Sequence, residues 1–241
     1  MTDDAQSGLG SDPWPRMASE DLRALAWLHA HERSPQNLAA LYASGFPASL
    51  TLVAPDNSWL RGMDAALCAL SGASDDDGLA PSLVSSEDEL AADFAAIYLT
   101  HALRASPHES VWRDEDHLML QEPTFAVRAF YRRHGVHVTD WRQCADDYLA
   151  TELEFVALLL ERGELKEAAR FFKAHLLTWL PLFAKRVSQR AATPFYAALA
   201  GLTLTACENC AARLPAVAVL PPVVADPGAS RHDGDCAAAP R

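Results

Sequence analysis

Two short polar segments of this chain combine rigid, aromatic and acidic residues in a way that suits peptide binding. The first supplies Ser106, Pro107, His108, Glu109, Ser110 and Trp112, and the second supplies Asp146, Asp147, Tyr148 and Glu152. Proline and aromatic side chains offer apolar contact area, while the four carboxylates offer partners for cationic side chains. Tyr148 and Glu152 are one helical turn apart and share a face. We therefore predict that these ten residues bind a peptide with both apolar and basic side chains.

The same residue types also have ordinary structural uses. Asp146 could cap the helix that follows it, and Asp147 could interact with the dipole of that helix. Trp112 could simply fill the core. The residues alone leave the structural and the binding interpretations equally open.

No set of residues in the sequence predicts catalysis. The patterns GxxxxGK[ST], GxGxxG, GxSxG and HExxH are all absent. The run Asp114–His117 is interpreted as a solvated turn, because consecutive acids point in different directions and cannot converge on a metal ion. His101, His134 and His175 fall on or beside apolar helical faces and are interpreted as core or interfacial histidines. We predict that the protein is not an enzyme and uses no cofactor.

Cysteine and histidine residues near the C-terminus form one possible metal site. Cys207, Cys210, His232 and Cys236 amount to four zinc-type ligands. The second pair lies in a Pro/Ala-rich segment without hydrophobic support, so free thiols and no metal are the favoured interpretation. A zinc-stabilised adaptor remains the alternative.

The acidic composition bears on partners and location. A formal net charge of −12 argues against nucleic acid and favours a basic partner. The acids of residues 75–93 are interpreted as a solvated face, with a docking surface for a basic peptide as the alternative. No apolar run is long enough to span a bilayer, and the first 15 residues do not resemble a secretory signal. We predict a cytoplasmic protein without membrane insertion.

Apolar residues recur at three- and four-residue spacing over most of the chain, which predicts an all-α fold of roughly ten helices in a single globular domain. The predicted boundaries are a disordered N-terminus (1–17), the helical domain (18–212) and a disordered Pro/Ala-rich tail (213–241). Helix starts are predicted near Ser19, at Pro35, at Ser86, at Pro123, at Asp146 and at Thr193-Pro194, and helix stops at Gly45, Gly135 and Gly163. Pro181 is expected to bend or break the helix that contains it.

The two polar segments also carry a family resemblance. The runs ASPHESVW (105–112), EPTFAVRAFY (122–131) and DDYLATELEF (146–155), with the acids Asp114–Asp116 between the first two, resemble the TorD/DmsD family of molybdoenzyme maturation chaperones. The similarity extends in order and spacing from about Ser19 to Cys210. It implies an all-helical cytoplasmic protein that binds the twin-arginine signal peptide and the apo form of a molybdopterin-containing reductase, assists cofactor insertion and delays export until the reductase is folded. It also implies that residues 106–112 form the peptide-binding loop.

This chain departs from the family pattern in its second motif. The family's Pro-x-Asp-His motif falls on Ala145-Asp146-Asp147-Tyr148, with tyrosine in place of histidine and Cys144-Ala145 where the proline is expected. The resemblance therefore favours Asp147 over Tyr148 as a functional contact. A nucleotide-binding or hydrolytic protein that uses the Asp, Glu and His residues of 108–117 remains a second hypothesis, and the chain is expected to be a monomer or a homodimer.

Overall fold

Ten α-helices account for most of the chain that the computed structural model describes, namely residues 12–71, 87–140 and 144–218. In chain order they are α1 (Trp14–Ala30), α2 (Pro35–Ala43), α3 (Ser58–Ser71), α4 (Glu87–Phe94), α5 (Glu109–Arg113), α6 (Glu122–Arg133), α7 (Leu149–Glu161), α8 (Leu165–Phe171), α9 (Leu177–Arg190) and α10 (Pro194–Arg213). One π-helical turn, Ala95–Leu99, extends α4, and another, Phe172–Leu176, joins α8 to α9. No β-strand occurs within these ranges, so the predicted all-α class is confirmed.

The core lies where α1 packs against α7 and where α10 packs against α3 and α9. Leu22 and Leu25 of α1 and Leu153 and Val156 of α7 are fully buried. Their three-residue spacing places them on one face of each helix, as the sequence predicted. Within residues 12–71, 87–140 and 144–218, no helix is both long and apolar enough to cross a membrane.

Several helix ends follow the predicted local signals. Ser34 caps α2 by accepting a hydrogen bond from the backbone N–H of Asn37 at 3.3 Å, and Pro35 is the first residue of that helix. Gly45, Gly135 and Gly163 have φ angles of +101°, +69° and +71°, a left-handed backbone that only glycine adopts without strain.

The first helix begins earlier than predicted. It starts at Trp14, so residues 14–17, predicted to be disordered, are helical, and Ser19 is a buried residue inside the helix instead of its cap. The Asp12 carboxylate accepts a hydrogen bond from the backbone N–H of Trp14 at 3.0 Å. Trp14 is buried, and the Arg213 guanidinium lies 4.5 Å from the centre of its ring. Burial of Trp14 against the end of α10 explains the longer helix.

The C-terminal boundary also shifts. Arg213 belongs to α10, Leu214 is buried, and Val217 packs against the core. Residues 213–218 of the predicted disordered tail therefore contact the domain. The rest of that tail, with His232 and Cys236, lies outside the described residues, as does the predicted helix start at Ser86.

The expected effect of Pro181 on its helix needs correction. Pro181 lies inside α9 without ending it, and the irregular part of this long helix is the π-helical turn that precedes α9.

Of the acids in 75–93, which were predicted to form a solvated face, Asp93 is buried. Its carboxylate accepts hydrogen bonds from the backbone N–H groups of Ala192 (3.0 Å) and Thr193 (2.7 Å), which tie α4 to the start of α10.

Candidate functional site

The two polar segments lie side by side in the fold. The backbone N–H of Glu109 donates to the carbonyl oxygen of Asp147 at 3.0 Å, and the N–H of Leu149 donates to the carbonyl oxygen of Pro107 at 2.9 Å. These two bonds form an isolated antiparallel bridge between His108 and Tyr148. Tertiary structure therefore brings together the two segments that the sequence singled out, which start about 40 residues apart.

Asp147 holds this junction together from the inside. It is fully buried, and its Oδ2 accepts a hydrogen bond from the backbone N–H of Ser110 at 2.8 Å. That N–H belongs to the first turn of α5, where a carboxylate both replaces a missing acceptor and interacts favourably with the helix dipole. Asp147 thus caps a short helix that the sequence predicted to be a loop, and it does not cap α7, which begins at Leu149.

Asp146 also makes its contacts within the protein. Its Oδ2 lies 2.9 Å from Nε and 2.7 Å from Nη2 of Arg128, and its backbone oxygen accepts a hydrogen bond from the Tyr131 hydroxyl at 2.9 Å. Only 2% of Asp146 is exposed. The ion pair anchors the second segment to α6.

Glu109 and Glu152 belong to a buried acidic cluster beneath the bridge. Glu109 forms an ion pair with Arg113, and both of its carboxylate oxygens lie 3.2 Å from Nδ1 of His175. Glu152 accepts a hydrogen bond from the indole N–H of Trp179 at 3.2 Å. Burial, together with the charges of Glu109 and Asp147, raises the pKa of Glu152 well above its ordinary value. This environment favours the protonated, uncharged form of Glu152.

The remaining residues of the first segment support the bridge. Ser106 Oγ lies 3.1 Å from Nδ1 of His108. The backbone oxygen of Ser106 accepts a hydrogen bond from the indole N–H of Trp112 at 2.7 Å. The guanidinium of Arg186 stacks 4.9 Å from the centre of the Trp112 ring. Pro107 and Ser110 are buried. These contacts make the segment a rigid support.

His108 and Tyr148 lie opposite each other in the bridge, His108 buried and Tyr148 half-buried. Their ring centres are 5.3 Å apart. The Tyr148 hydroxyl donates to the backbone oxygen of His29 at 2.6 Å, which fixes the ring against the C-terminal turn of α1. Burial lowers the pKa of His108 to about 4, although the charge of Asp147 opposes the shift. His108 is therefore neutral at physiological pH.

The two rings line a groove of about 560 Å³, within the range of small-ligand and peptide side-chain sites. The other residues that line it come from the end of α1, the α4 region, the loop after α5 and the residues just before the second segment: Ala30, His31, Glu32, Phe94, Tyr98, Leu99, His101, Met119 and Cys144. Of the ten predicted site residues, His108 and Tyr148 reach this groove and the other eight do not line it.

Sequence reasoning missed the apolar wall of the groove. Leu99 is 64% exposed and Met119 is 39% exposed, and Met119 lies between two other exposed apolar residues, Leu118 and Leu120. The loop that carries them adopts left-handed backbone at His117 and Leu120, which non-glycine residues disfavour. Three consecutive apolar residues directly after an acidic turn were the signal in the sequence, because a solvated loop rarely presents them together.

Of the alternative sites, the described residues include the whole run 114–117 but only Cys207 and Cys210 of the four possible zinc ligands. Asp114 accepts hydrogen bonds from the backbone N–H groups of Asp116 (3.1 Å) and Leu118 (3.3 Å), so the run 114–117 forms a turn. No group of three or more potential ligands that could hold a metal ion occurs among the described residues. Cys207 and Cys210 are buried in the core, and burial raises the pKa of both thiols.

Comparisons with known proteins agree with the resemblance of the two segments. Residues 60–185 match the family model described as nitrate reductase delta subunit. The chaperone protein TorD of Vibrio cholerae serotype O1 (strain O395) is 30% identical over 192 residues, covering 75% of this chain and 84% of that protein. TorD of Vibrio vulnificus (strain YJ016) is 31% identical over 163 residues, covering 57% of this chain and 76% of that protein. The Tat proofreading chaperone DmsD of Salmonella typhi is 30% identical over 138 residues, covering 56% and 68% respectively. This chain therefore belongs to the TorD/DmsD family of molybdoenzyme maturation chaperones, whose members are chaperones and not enzymes.

Proposed function

We propose that this protein is a cytoplasmic chaperone that binds the twin-arginine signal peptide and the apo form of a molybdopterin-containing reductase. It assists cofactor insertion and delays export until the reductase is folded, acting as a monomer or a homodimer. The observation that carries the proposal is the groove beside the His108–Tyr148 bridge, where both family motifs meet an exposed apolar wall.

The groove suits a signal peptide on chemical grounds. Such a peptide carries basic residues followed by an apolar stretch of about 7–15 residues. Leu99 and Met119 leave apolar surface exposed to water, and covering it with an apolar peptide segment is favourable. His108 and Tyr148 add aromatic faces fixed by hydrogen bonds, so little side-chain freedom is lost on binding.

Among the ten predicted peptide-binding residues we assign two roles. His108 and Tyr148 contact the peptide. The other eight, including Asp147, position these two rings from within the fold. This assignment reverses the expectation that Asp147 is the more direct functional contact, because a carboxylate that is fully buried and bonded to Ser110 cannot reach a ligand in the groove.

A pair of leucine variants tests the proposal. Leu99→Gln is expected to weaken binding of a synthetic twin-arginine leader about tenfold, since burying the exposed part of a leucine stabilises a complex by about 1–2 kcal/mol. Leu182→Gln is the matched control, because Leu182 is 52% exposed on α9 and does not line the groove. Binding is measured by calorimetric titration, with thermal unfolding to show that both variants are folded. Equal affinities for the two variants would place the peptide elsewhere.

A further inference from the structure

We propose that Glu32 is the carboxylate that recognises the arginines of the signal peptide, an assignment that rests on the proposed function. Glu32 lies just beyond the C-terminus of α1 and lines the groove. It is a residue that the sequence patterns did not single out.

The four carboxylates predicted to pair with the peptide all contact other groups of the protein. Asp146 is paired with Arg128, Glu109 with Arg113, and Asp147 with the backbone of Ser110. Glu152 is fully buried and faces the indole of Trp179. None of the four lines the groove, and each is fully or almost fully buried, so within the groove the negative charge that selects a basic peptide comes from another residue.

Glu32 meets that requirement by its position and exposure. It is the acidic residue among those that line the groove, and its side chain is exposed to solvent. No described residue forms an ion pair with it. The adjacent Arg33 does not neutralise it, because the Arg33 guanidinium stacks 3.5 Å from the centre of the Trp27 ring and donates to the Trp27 backbone oxygen at 2.6 Å.

The surroundings of Glu32 add to the attraction for a cation. The C-terminus of α1, which ends at Ala30, carries a partial negative charge from its last carbonyl groups. The imidazole of His108 is uncharged near neutral pH and does not repel an arginine. Leu99 and Met119 line the same groove, so a peptide whose arginines pair with Glu32 has its following apolar residues within reach of the apolar wall.

A double-mutant cycle between protein and peptide tests the assignment. The protein partner is Glu32→Gln, with Glu208→Gln as a control that removes another exposed acid, on α10 and outside the groove. The peptide partner is a synthetic twin-arginine leader in which both arginines are replaced by glutamine. Affinities are measured by calorimetric titration at two salt concentrations.

Glu32→Gln is expected to weaken binding of the arginine leader about fivefold, the upper range for a solvent-exposed pair, and to reduce its salt dependence. The glutamine leader should bind wild type and Glu32→Gln equally, because the partner charge is already gone. Glu208→Gln should behave as wild type. Losses from the two changes that simply add, or equal binding by Glu32→Gln and Glu208→Gln, would overturn the assignment while leaving leader binding intact. Failure of wild type to bind the arginine leader would instead overturn the proposed function and this assignment with it.

Discussion

Replacing Asp147 by alanine is expected to destabilise the fold by about 2 kcal/mol. Its Oδ2 is the acceptor for the backbone N–H of Ser110 at 2.8 Å, and both residues are fully buried. A buried N–H left without an acceptor costs about 1–3 kcal/mol, and loss of a helix cap typically costs about 1 kcal/mol.

Urea unfolding followed by far-UV circular dichroism measures the effect. In thermal unfolding, a loss of 2 kcal/mol corresponds to a decrease of roughly 4–8 °C in Tm for a domain of this size. Asp147→Asn is the matched control, because the amide oxygen still accepts the hydrogen bond from Ser110 while the charge is removed. We expect it to be destabilised less than Asp147→Ala, because the hydrogen bond to the Ser110 N–H is kept.

Leader binding separates the two interpretations of Asp147. If Asp147 positions the groove, Asp147→Asn binds the leader nearly as well as wild type, and Asp147→Ala loses affinity together with stability. If Asp147→Ala instead unfolds at the wild-type urea concentration but no longer binds the leader, Asp147 is a direct contact and the capping argument is wrong.

Two further predictions concern stability. Because the folded-state pKa of Glu152 is raised, the native protein binds more protons than the unfolded chain above about pH 4.5, so this residue makes the free energy of unfolding decrease as pH rises. Glu152→Gln removes that dependence and is expected to be more stable than wild type at pH 8 but not at pH 4.5. A difference in stability between variant and wild type that is the same at both pH values in urea titrations would contradict the raised pKa. Gly201→Ala is expected to destabilise the protein by about 1–3 kcal/mol, because a Cβ at Gly201 would overlap the ring of Trp59, whereas at Gly62 the nearest atom would be 3.8 Å away and Gly62→Ala should be neutral or stabilising. Thermal unfolding of the two glycine variants decides the point, and equal Tm values would mean that Trp59 moves aside freely.

Local signals in the sequence determined much of the fold. Pro35 and the Thr193-Pro194 pair mark helix starts, and Gly135 and Gly163 mark helix ends, because caps and left-handed residues act over one turn of chain. The three- and four-residue spacing of apolar residues was sufficient to predict the all-α class. The two motifs likewise pointed to a pair of segments that the fold places side by side.

Only the tertiary structure decided what the residues of those segments do. Asp147 meets Ser110 across 37 residues of sequence, Asp93 meets Thr193 across 100, and Tyr148 meets His29 across 119. A carboxylate in a polar motif looks the same in the sequence whether it caps a helix, pairs inside the core or faces a ligand. Its burial, charge and accessibility depend on segments that are distant in the sequence and become neighbours only when the helices pack. That is why the sequence located the junction, while the groove, its apolar wall and the exposed Glu32 emerged only from the folded structure.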